Sequence, residues 1–217
     1  MHKSILNLNS IKKEIKDNTE VLKKIEIIAI SKTFQMQDIS PLIDSGHIHF
    51  GENKIQEALD KWSEIKNEKK NLKLHFVGKL QSNKVKFVIP LFDYIHSLDS
   101  LKLASKISEQ QSIKNFKPKL FIQVNVGNEP QKSGVDIDSI KNFYKKCVED
   151  FKLDIIGLMC IPPFDKDPKP YFTKMKELSN NLNLKDISMG MSNDYMQAIN
   201  QGSTFIRVGS KIFGARD

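Results

Sequence analysis

The sequence has few cysteines, and it lacks any long hydrophobic run. Only Cys147 and Cys160 occur among 217 residues, too few for a disulfide framework, and we expect both to be small buried residues. No apolar segment approaches the roughly 20 residues needed to span a bilayer. The N-terminal segment MHKSILNLNSIKKEIK is charged and has no uninterrupted apolar core, unlike a secretory signal. We therefore expect a cytoplasmic protein with no membrane partner.

Arginine is also scarce, although the chain is basic. The formal net charge is +8, but of 34 basic residues only Arg207 and Arg216 are arginines, and the lysines are scattered. Arginine is the residue best suited to reading base edges, and nucleic-acid-binding proteins cluster their basic residues. We therefore attribute the charge to solvated helix faces and expect no nucleic-acid partner. A guanidinium at position 207 of a lysine-rich chain indicates a role that needs a planar, forked donor.

The motifs that mark several enzyme classes are missing. No G-x-G-x-x-G fingerprint follows a strand, and neither a Walker A loop nor a G-x-S-x-G elbow occurs. His47, His49, His75 and His96 lack the metal-ligand spacing of H-E-x-x-H. We interpret His47 and His49 as polar residues at a strand edge, and we expect no metal site.

The chain instead alternates short β-branched runs with amphipathic helical segments. Strand-like runs begin near Ile27, Ile48, Leu74, Asp93, Lys119, Asp154, Asp186 and Thr204. Helices are predicted over 55–65 and 137–151, after Ser100 and Pro170, near Asn193 and over Ile5–Lys24. Strands that alternate with helices pair in parallel through right-handed crossovers.

This alternation predicts the fold class and the domain count. Eight strand–helix units in 217 residues indicate one α/β domain, 1–217, folded as a single (β/α)8 TIM-like barrel with an extra N-terminal helix. The alternative is a doubly wound open sheet, which usually has fewer strands and whose dinucleotide fingerprint is missing here. In a barrel the site lies at the carboxyl ends of the strands.

The residues that follow the predicted strands therefore indicate the ligand. The last two loops, GMSND and VGSKIFG, supply glycines, serine hydroxyls and backbone amides, a pattern typical of phosphate sites in barrels. Lys32 follows the first strand, where partial burial lowers the pKa of an amine and frees it to attack an aldehyde. A phosphorylated aldehyde satisfies both features, so these residues point to pyridoxal 5′-phosphate (PLP).

Several segments together resemble a known family. AISKTF, HFGENKIQE, LHFVGKLQSNK, HSLDS, IQVNVGNEPQKSG, GLMCIP and SMGMSNDYMQAINQGSTFIRVGSKIFGARD occur in this order between Ala29 and Asp217. The chain is thereby similar to the pyridoxal-phosphate homeostasis proteins (the YggS/PROSC family), whose barrel resembles the N-terminal domain of alanine racemase. One departure follows Lys32, where family members often continue with Lys-Pro and this chain has Phe34 and Gln35.

The resemblance implies a function and a set of site residues. It implies that Lys32 holds PLP as a Schiff base and that the protein maintains the intracellular PLP supply without appreciable catalysis. Apo PLP-dependent enzymes are the implied recipients. The remaining implied cofactor contacts are Asn53, Met191, Ser192, Arg207, Gly209 and Ser210, of which Ser192, Gly209 and Ser210 hold the phosphate and Arg207 faces either the ring nitrogen or the phosphate.

The alternative function is a PLP-dependent amino-acid racemase. Racemisation needs acid–base groups on both faces of the substrate carbanion, and in alanine racemases the second group is a tyrosine from a second domain of a partner subunit. We expect that domain to be absent, because the predicted eighth strand lies close to Asp217. Of the four tyrosines only Tyr94 lies near a predicted strand, at its start. We therefore predict a non-catalytic monomer.

Overall fold

Eight parallel strands close into a barrel in the computed structural model, which describes residues 1–19 and 24–215. The strands follow one another around the barrel in chain order, and the eighth pairs back with the first. They are β1 Glu26–Ile30, β2 His49–Glu52, β3 Lys73–Phe76, β4 Tyr94–Leu98, β5 Lys119–Gln123, β6 Ile155–Met159, β7 Asp186–Ser188 and β8 Phe205–Val208. Each begins within one residue of its predicted start, so the predicted (β/α)8 barrel is confirmed.

Helices separate the strands and surround the barrel. They are α1 Lys3–Asn18, α2 Met36–Asp44, α3 Ile55–Glu68, α4 Val85–Val88, α5 Leu101–Lys114, α6 Ile140–Glu149, α7 Lys169–Asn181, α8 Tyr195–Asn200 and α9 Ser210–Phe213. Short 3-10 turns at Ser82–Lys84 and Ile137–Ser139 lead into α4 and α6. In the described part of the chain, no helix is both long enough and apolar enough to cross a bilayer.

The predicted helices differ from the structure in one boundary and in the helices that were not predicted. The predicted N-terminal helix reaches Lys24, but α1 ends at Asn18 and Lys24 is not helical, while 20–23 lie outside the described residues. The sequence patterns did not indicate α2, α4 or α9; α4 and α9 have only four residues each, and α2 includes Pro41. Proline has no backbone N–H to donate, so it weakens the helical signal.

Apolar side chains form two cores on opposite faces of the strands. The larger core packs the helices against the outside of the barrel, and it contains residues such as Ala29, Phe50 and Trp62. The smaller one fills the inside with Ile28, Ile30, Phe121, Met159 and Phe205. Because both faces are buried, the strands read as continuous apolar runs rather than as an alternation. Cys147 and Cys160 are free and buried, as predicted.

Candidate functional site

A cavity of about 860 Å³ opens at the carboxyl end of the barrel strands. This is the end at which the sequence analysis predicted the site. The predicted site residues all line this one cavity: Lys32, Asn53, Met191, Ser192, Arg207, Gly209 and Ser210. The barrel thus brings together residues that are up to 178 positions apart in the sequence, from Lys32 to Ser210.

Lys32 is half-buried and lies two residues beyond the end of β1. The residue before it, Ser31, is held on two sides. Its Oγ donates a hydrogen bond to Oε1 of Glu52 at 2.7 Å, and its carbonyl accepts one from Nζ of Lys61 at 2.9 Å. The backbone that carries the Lys32 amine is therefore anchored to β2 and α3.

The residue after Lys32 is held as well. The amide of Thr33 donates a hydrogen bond to Oε1 of Glu57 at 2.5 Å. Thr33 has a φ of 70°, in the left-handed region that non-glycine residues seldom occupy. Strained backbone of this kind persists only where surrounding contacts enforce it, and it is concentrated at functional sites.

A buried carboxylate organises this side of the cavity. Oε1 of Glu52 accepts hydrogen bonds from Ser31, from Nζ of Lys61 at 3.0 Å and from Nε1 of Trp62 at 3.0 Å. Oε2 of Glu52 is buried and has no partner among the described residues. Sequence reasoning missed the pair between Glu52 and Lys61, because that contact requires α3 to pack back over the end of β2.

Asn53 and Gly78 form the adjoining wall. A Cβ atom on Gly78 would lie 2.1 Å from the carbonyl oxygen of Asn53, so only glycine allows the two strand ends this close approach. The side-chain Oδ1 of Asn53 is buried and has no hydrogen-bond partner within the described residues. Buried polar atoms are rarely left unpaired, so this oxygen is available to a ligand.

The loops that follow β7 and β8 lie beside each other. The backbone amide of Lys211 donates a hydrogen bond to Oγ of Ser192 at 3.3 Å, which joins the two loops. Gly190 has a φ of 91°, and a Cβ there would lie 2.6 Å from Cβ of Ala198. Glycine therefore makes the turn that presents Ser192, and the hydroxyl of Ser210 lies on the same cavity wall.

Arg207 reaches the cavity from inside the barrel. Its Nη1 donates to Oγ of Ser188 at 2.7 Å, and its Nη2 donates to the carbonyl oxygen of Cys160 at 2.8 Å. Burial lowers the pKa of the guanidinium below its usual value, but an arginine side chain stays protonated in proteins. Arg207 forms no salt bridge with any described residue, so its charge is held by neutral oxygens alone.

The cavity wall carries more positive than negative charge. The cations on it are Lys32, Lys132, Lys166 and Arg207, and the carboxylate is Asp194. An excess of positive charge in a cleft attracts anionic ligands. Lys132 and Lys166 were missed by sequence reasoning because they lie several residues beyond the ends of β5 and β6.

Three histidines lie inside the barrel rather than at a strand edge. A closed barrel has no edge strand, so the strand-edge interpretation of His47 and His49 is wrong. His49 is buried with His75 and His96, and the buried His47 bonds through Nε2 to the carbonyl oxygen of His49 at 2.9 Å. In the ranges that the structure describes, no group of His, Cys, Asp and Glu side chains could hold a metal ion.

The chain matches the family of the alanine racemase N-terminal domain over residues 6–217. The pyridoxal phosphate homeostasis protein of Aquifex aeolicus is 36% identical over 200 residues, which cover 88% of this chain and 87% of that protein. The protein of the same name from Haemophilus influenzae is 34% identical over 225 residues, which cover 97% and 95%.

A solved structure of PipY from Synechococcus elongatus, with PLP bound, superposes with a TM-score of 0.85. The two sequences are 31% identical, and the match covers 97% of this chain and 100% of that chain. Similarity of this extent, in both sequence and fold, leaves little of the chain outside the match. The chain belongs to the family of pyridoxal phosphate homeostasis proteins.

Proposed function

We propose that this protein holds PLP covalently on Lys32 and keeps the cofactor available to the cell without turning over a substrate. The observation that carries this proposal is the convergence of an amine, Lys32, with the serine-containing turns at Ser192 and Ser210 on one cavity. The relatives named as PLP homeostasis proteins and the PLP-bound structure of PipY support the same cofactor.

The residues of the cavity fit the chemical groups of PLP. The Lys32 amine would attack the aldehyde carbon, so that a C=N bond replaces the C=O bond and the oxygen leaves as water with both amine hydrogens. The hydroxyls of Ser192 and Ser210 and the backbone at Gly209 would bind the phosphate through charge-assisted hydrogen bonds. Arg207 would donate to the ring nitrogen or to the phosphate.

The polar atoms of the opposite wall also fit a bound cofactor. Asn53 offers an unpartnered buried oxygen, and the amide nitrogen of the same side chain can donate. Met191, with 38% of its surface exposed, lies at the mouth and can cover one face of an aromatic ring. Lys132 and Lys166 add positive charge that favours a ligand carrying a phosphate.

The side chains around the cavity favour carriage over turnover. A racemase needs a second acid–base group opposite Lys32, yet the described residues that line the cavity include no tyrosine, histidine or cysteine. Of the other ionisable groups there, Lys132 pairs with Glu129, Asp194 accepts from the amide of Met191, and Lys166 is exposed. The hydroxyl of Tyr195 donates to Oε2 of Glu14 at 2.5 Å, away from the lining residues. Tyr94 stacks on His75 inside the barrel, with ring centroids 4.3 Å apart.

The test of the cofactor site is reduction and peptide mapping. Protein incubated with PLP should show an absorbance band that borohydride shifts, and mass mapping should place the pyridoxyl group on Lys32. Lys32→Arg keeps the charge but cannot react, so the adduct should be lost. Lys54→Arg is the control, since Lys54 is exposed and does not line the cavity. A stable adduct on another lysine of the unmodified protein would contradict the assignment.

The test of carriage is a pair of assays on the PLP-loaded protein. We expect no steady-state racemisation of amino acids and restored activity when an apo PLP-dependent enzyme is added. Sustained racemisation that Lys32→Arg abolishes would favour the racemase instead. We further propose that the protein is cytoplasmic. We also propose that it is a monomer, since the seven site residues line a cavity of one chain; light scattering that gives the mass of a dimer would contradict the monomer.

A further inference from the structure

A continuous chain of hydrogen bonds runs through the inside of the barrel and ends at Arg207. It connects one residue each from β1, β2, β3, β4 and β7. The contacts are Glu26 Oε2 to His49 Nε2 at 3.2 Å, His49 Nδ1 to His75 Nε2 at 2.9 Å, His75 Nδ1 to His96 Nε2 at 2.9 Å, His96 Nδ1 to Ser188 Oγ at 2.9 Å and Ser188 Oγ to Arg207 Nη1 at 2.7 Å.

Because of the strand register, His49, His75 and His96 lie successively nearer the carboxyl end of the barrel, where the cavity opens. His75 pairs with Gly51, so His49 lies two positions nearer the amino end of the barrel. His75 also pairs with Tyr94, so His96 lies two positions nearer the carboxyl end. The strands of a closed barrel are staggered, and inward-facing positions of successive strands therefore rise in steps. The chain links the amino end of the barrel to the cavity at the other end.

The end of the hydrogen-bond chain that is farthest from the cavity is the carboxylate of Glu26, which can only accept hydrogen bonds when it is ionised. Hydrogen bonding from His49 lowers the pKa of Glu26 to about 2, so Glu26 is ionised at neutral pH. The hydrogen in the contact between Glu26 and His49 must then reside on Nε2 of His49. With Nε2 as the donor, Nδ1 of His49 accepts from Nε2 of His75 when the ring carries a single hydrogen.

The same assignment of donor and acceptor nitrogens applies to the next two histidines, His75 and His96. Because Nδ1 of His49 accepts, Nε2 of His75 must donate, and Nε2 of His96 must donate to His75 in turn. Burial lowers the pKa of His75 and of His96 well below the usual value, so both are neutral. Nδ1 of His96 is then an acceptor, and the hydroxyl proton of Ser188 points to it.

The other end of the hydrogen-bond chain, at Arg207, requires the same direction of donation. Arginine can only donate, so Oγ of Ser188 must accept from Arg207. When the proton of Ser188 is directed to His96, its oxygen accepts from the guanidinium and all three groups are satisfied. The reverse polarity would leave the hydroxyl proton of Ser188 without this acceptor and would weaken its contact with the cation.

We propose that Glu26, His49, His75, His96 and Ser188 are positioning residues that hold the Arg207 guanidinium at the cofactor cavity. Glu26 fixes the tautomer of each histidine, and the aligned dipoles stabilise a buried cation that has no carboxylate partner among the described residues. Hydrogen bonds in such chains polarise one another and so strengthen cooperatively. The consequence for ligand binding rests on the proposed function, because it requires PLP to contact Arg207.

The direction of the hydrogen bonds, which the histidine tautomers reveal, is tested without any cofactor. Nitrogen NMR of protein labelled at histidine distinguishes the two neutral tautomers and the doubly protonated ring. We expect the Nε2–H tautomer for His75 and His96 at neutral pH. An Nδ1–H tautomer or a doubly protonated ring at His75 or His96 would overturn the inference, whether or not the protein binds PLP.

The effect of Glu26 on Arg207, transmitted through the hydrogen-bond chain, is tested with Glu26→Gln. An amide both donates and accepts, so His96 should become a mixture of tautomers and the dissociation constant for PLP should rise about three- to tenfold. The matched control is Lys24→Gln, which removes the exposed second partner of Glu26, 2.8 Å away, but leaves the carboxylate. We expect the control to change neither readout. Unchanged tautomers and affinity in Glu26→Gln would overturn the inference.

Two further variants separate positioning from general damage to the fold. Ser188→Ala, a small change, should weaken PLP binding to a similar degree while His75 keeps its tautomer. In an Arg207→Lys background, Glu26→Gln should add little further loss, since its effect passes through the guanidinium; a full additional loss would contradict this route. Absence of the Lys32 adduct in the unmodified protein would refute the proposed function, whereas a normal adduct with unchanged affinity in Glu26→Gln refutes only this inference.

Discussion

Nη1 of Arg207 and Oγ of Ser188 lie 2.7 Å apart, and this hydrogen bond joins the wall of the cavity at the carboxyl end of the strands to the interior of the barrel. A second nitrogen, Nη2, donates to the carbonyl oxygen of Cys160 at 2.8 Å. Two nitrogens of one planar group are thus held at once, and the remaining N–H groups are left for a ligand. Lysine cannot reproduce this arrangement, because its ammonium group is a single point donor.

We therefore predict that Arg207→Lys weakens PLP binding at least tenfold although it keeps the charge. Hydrogen bonds that involve a charged group are each worth about 1.5–3 kcal/mol, and about 1.4 kcal/mol corresponds to a factor of ten in a dissociation constant. An absorbance titration with PLP measures the change. Lys166→Arg, at an exposed position of the mouth, is the control and should stay close to the unmodified protein. Equal affinities for Arg207→Lys and the control would contradict the prediction.

The buried pair beneath Lys32 gives a prediction on stability. Glu52→Gln removes the negative charge that Ser31, Lys61 and Trp62 share, and among the described residues it leaves the largely buried ammonium group of Lys61 with Glu57 as its one carboxylate partner. Breaking a buried ion pair typically costs about 3–5 kcal/mol, and the surviving partner should reduce this to about 2–4 kcal/mol. Urea denaturation measures the free energy of unfolding.

The matched control for that variant is Glu109→Gln. Glu109 pairs with Lys106 on the exposed face of α5 at 2.6 Å, and exposed pairs contribute little to stability because solvent screens their charges. The difference between the two variants isolates the effect of burial. A loss for Glu52→Gln no larger than that for Glu109→Gln would show that the carboxylate does not organise this wall.

The wall between β2 and β3 gives a steric prediction. In Gly78→Ala the new methyl group would lie 2.1 Å from the carbonyl oxygen of Asn53, so the backbone must move. We expect a loss of about 2–3 kcal/mol in the free energy of unfolding, in the range of overpacked cores, together with weaker PLP binding. Gly46→Ala is the comparison: it has a φ of 87° but no atom within 4 Å, so about 1 kcal/mol and normal binding are expected. Equal losses in both would refute the close-approach argument.

The strands, and the meeting of the residues that follow them in one cavity, could be predicted because their signals are local. Each strand is a short apolar run that ends in a glycine or a polar turn, and the barrel rule assigns function to the residues that follow it. Lys32 and Ser210 are near strand ends in the sequence, so their common cavity follows from the fold class alone. No tertiary detail is needed for that step.

The histidine chain and the Glu52–Lys61 pair could not be predicted in the same way. Strands that are buried on both faces show no alternation, so the sequence does not reveal which residues point into the barrel. The contact between His49 and His75 depends on the stagger between β2 and β3, which becomes visible only in the closed barrel. The prediction of α2 failed for a simpler reason: Pro41 interrupts the helical pattern of the sequence.

The buried histidines predict a marked loss of stability in mild acid. Burial lowers the pKa of His47 from 6.5 to about 4 and lowers the pKa values of His75 and His96 well below 6.5. As the pH falls below 6.5, the unfolded chain binds protons on these residues while the folded protein does not, so unfolding becomes more favourable. The stability is fully present above about pH 6.5 and is lost progressively toward pH 4.

Each histidine that titrates only in the unfolded chain contributes a slope of about 1.4 kcal/mol per pH unit, so the three together contribute about 4 kcal/mol per unit once the pH is well below 6.5. Urea denaturation at pH 7, 6 and 5 measures this slope. His47→Gln should reduce it by about one third, because Gln does not titrate. A free energy of unfolding that stays constant from pH 7 to pH 5 would mean that the barrel interior takes up protons in the folded state. The polarity from Glu26 to Arg207 could not then persist in acid, because a doubly protonated imidazole has no acceptor nitrogen left for its neighbour.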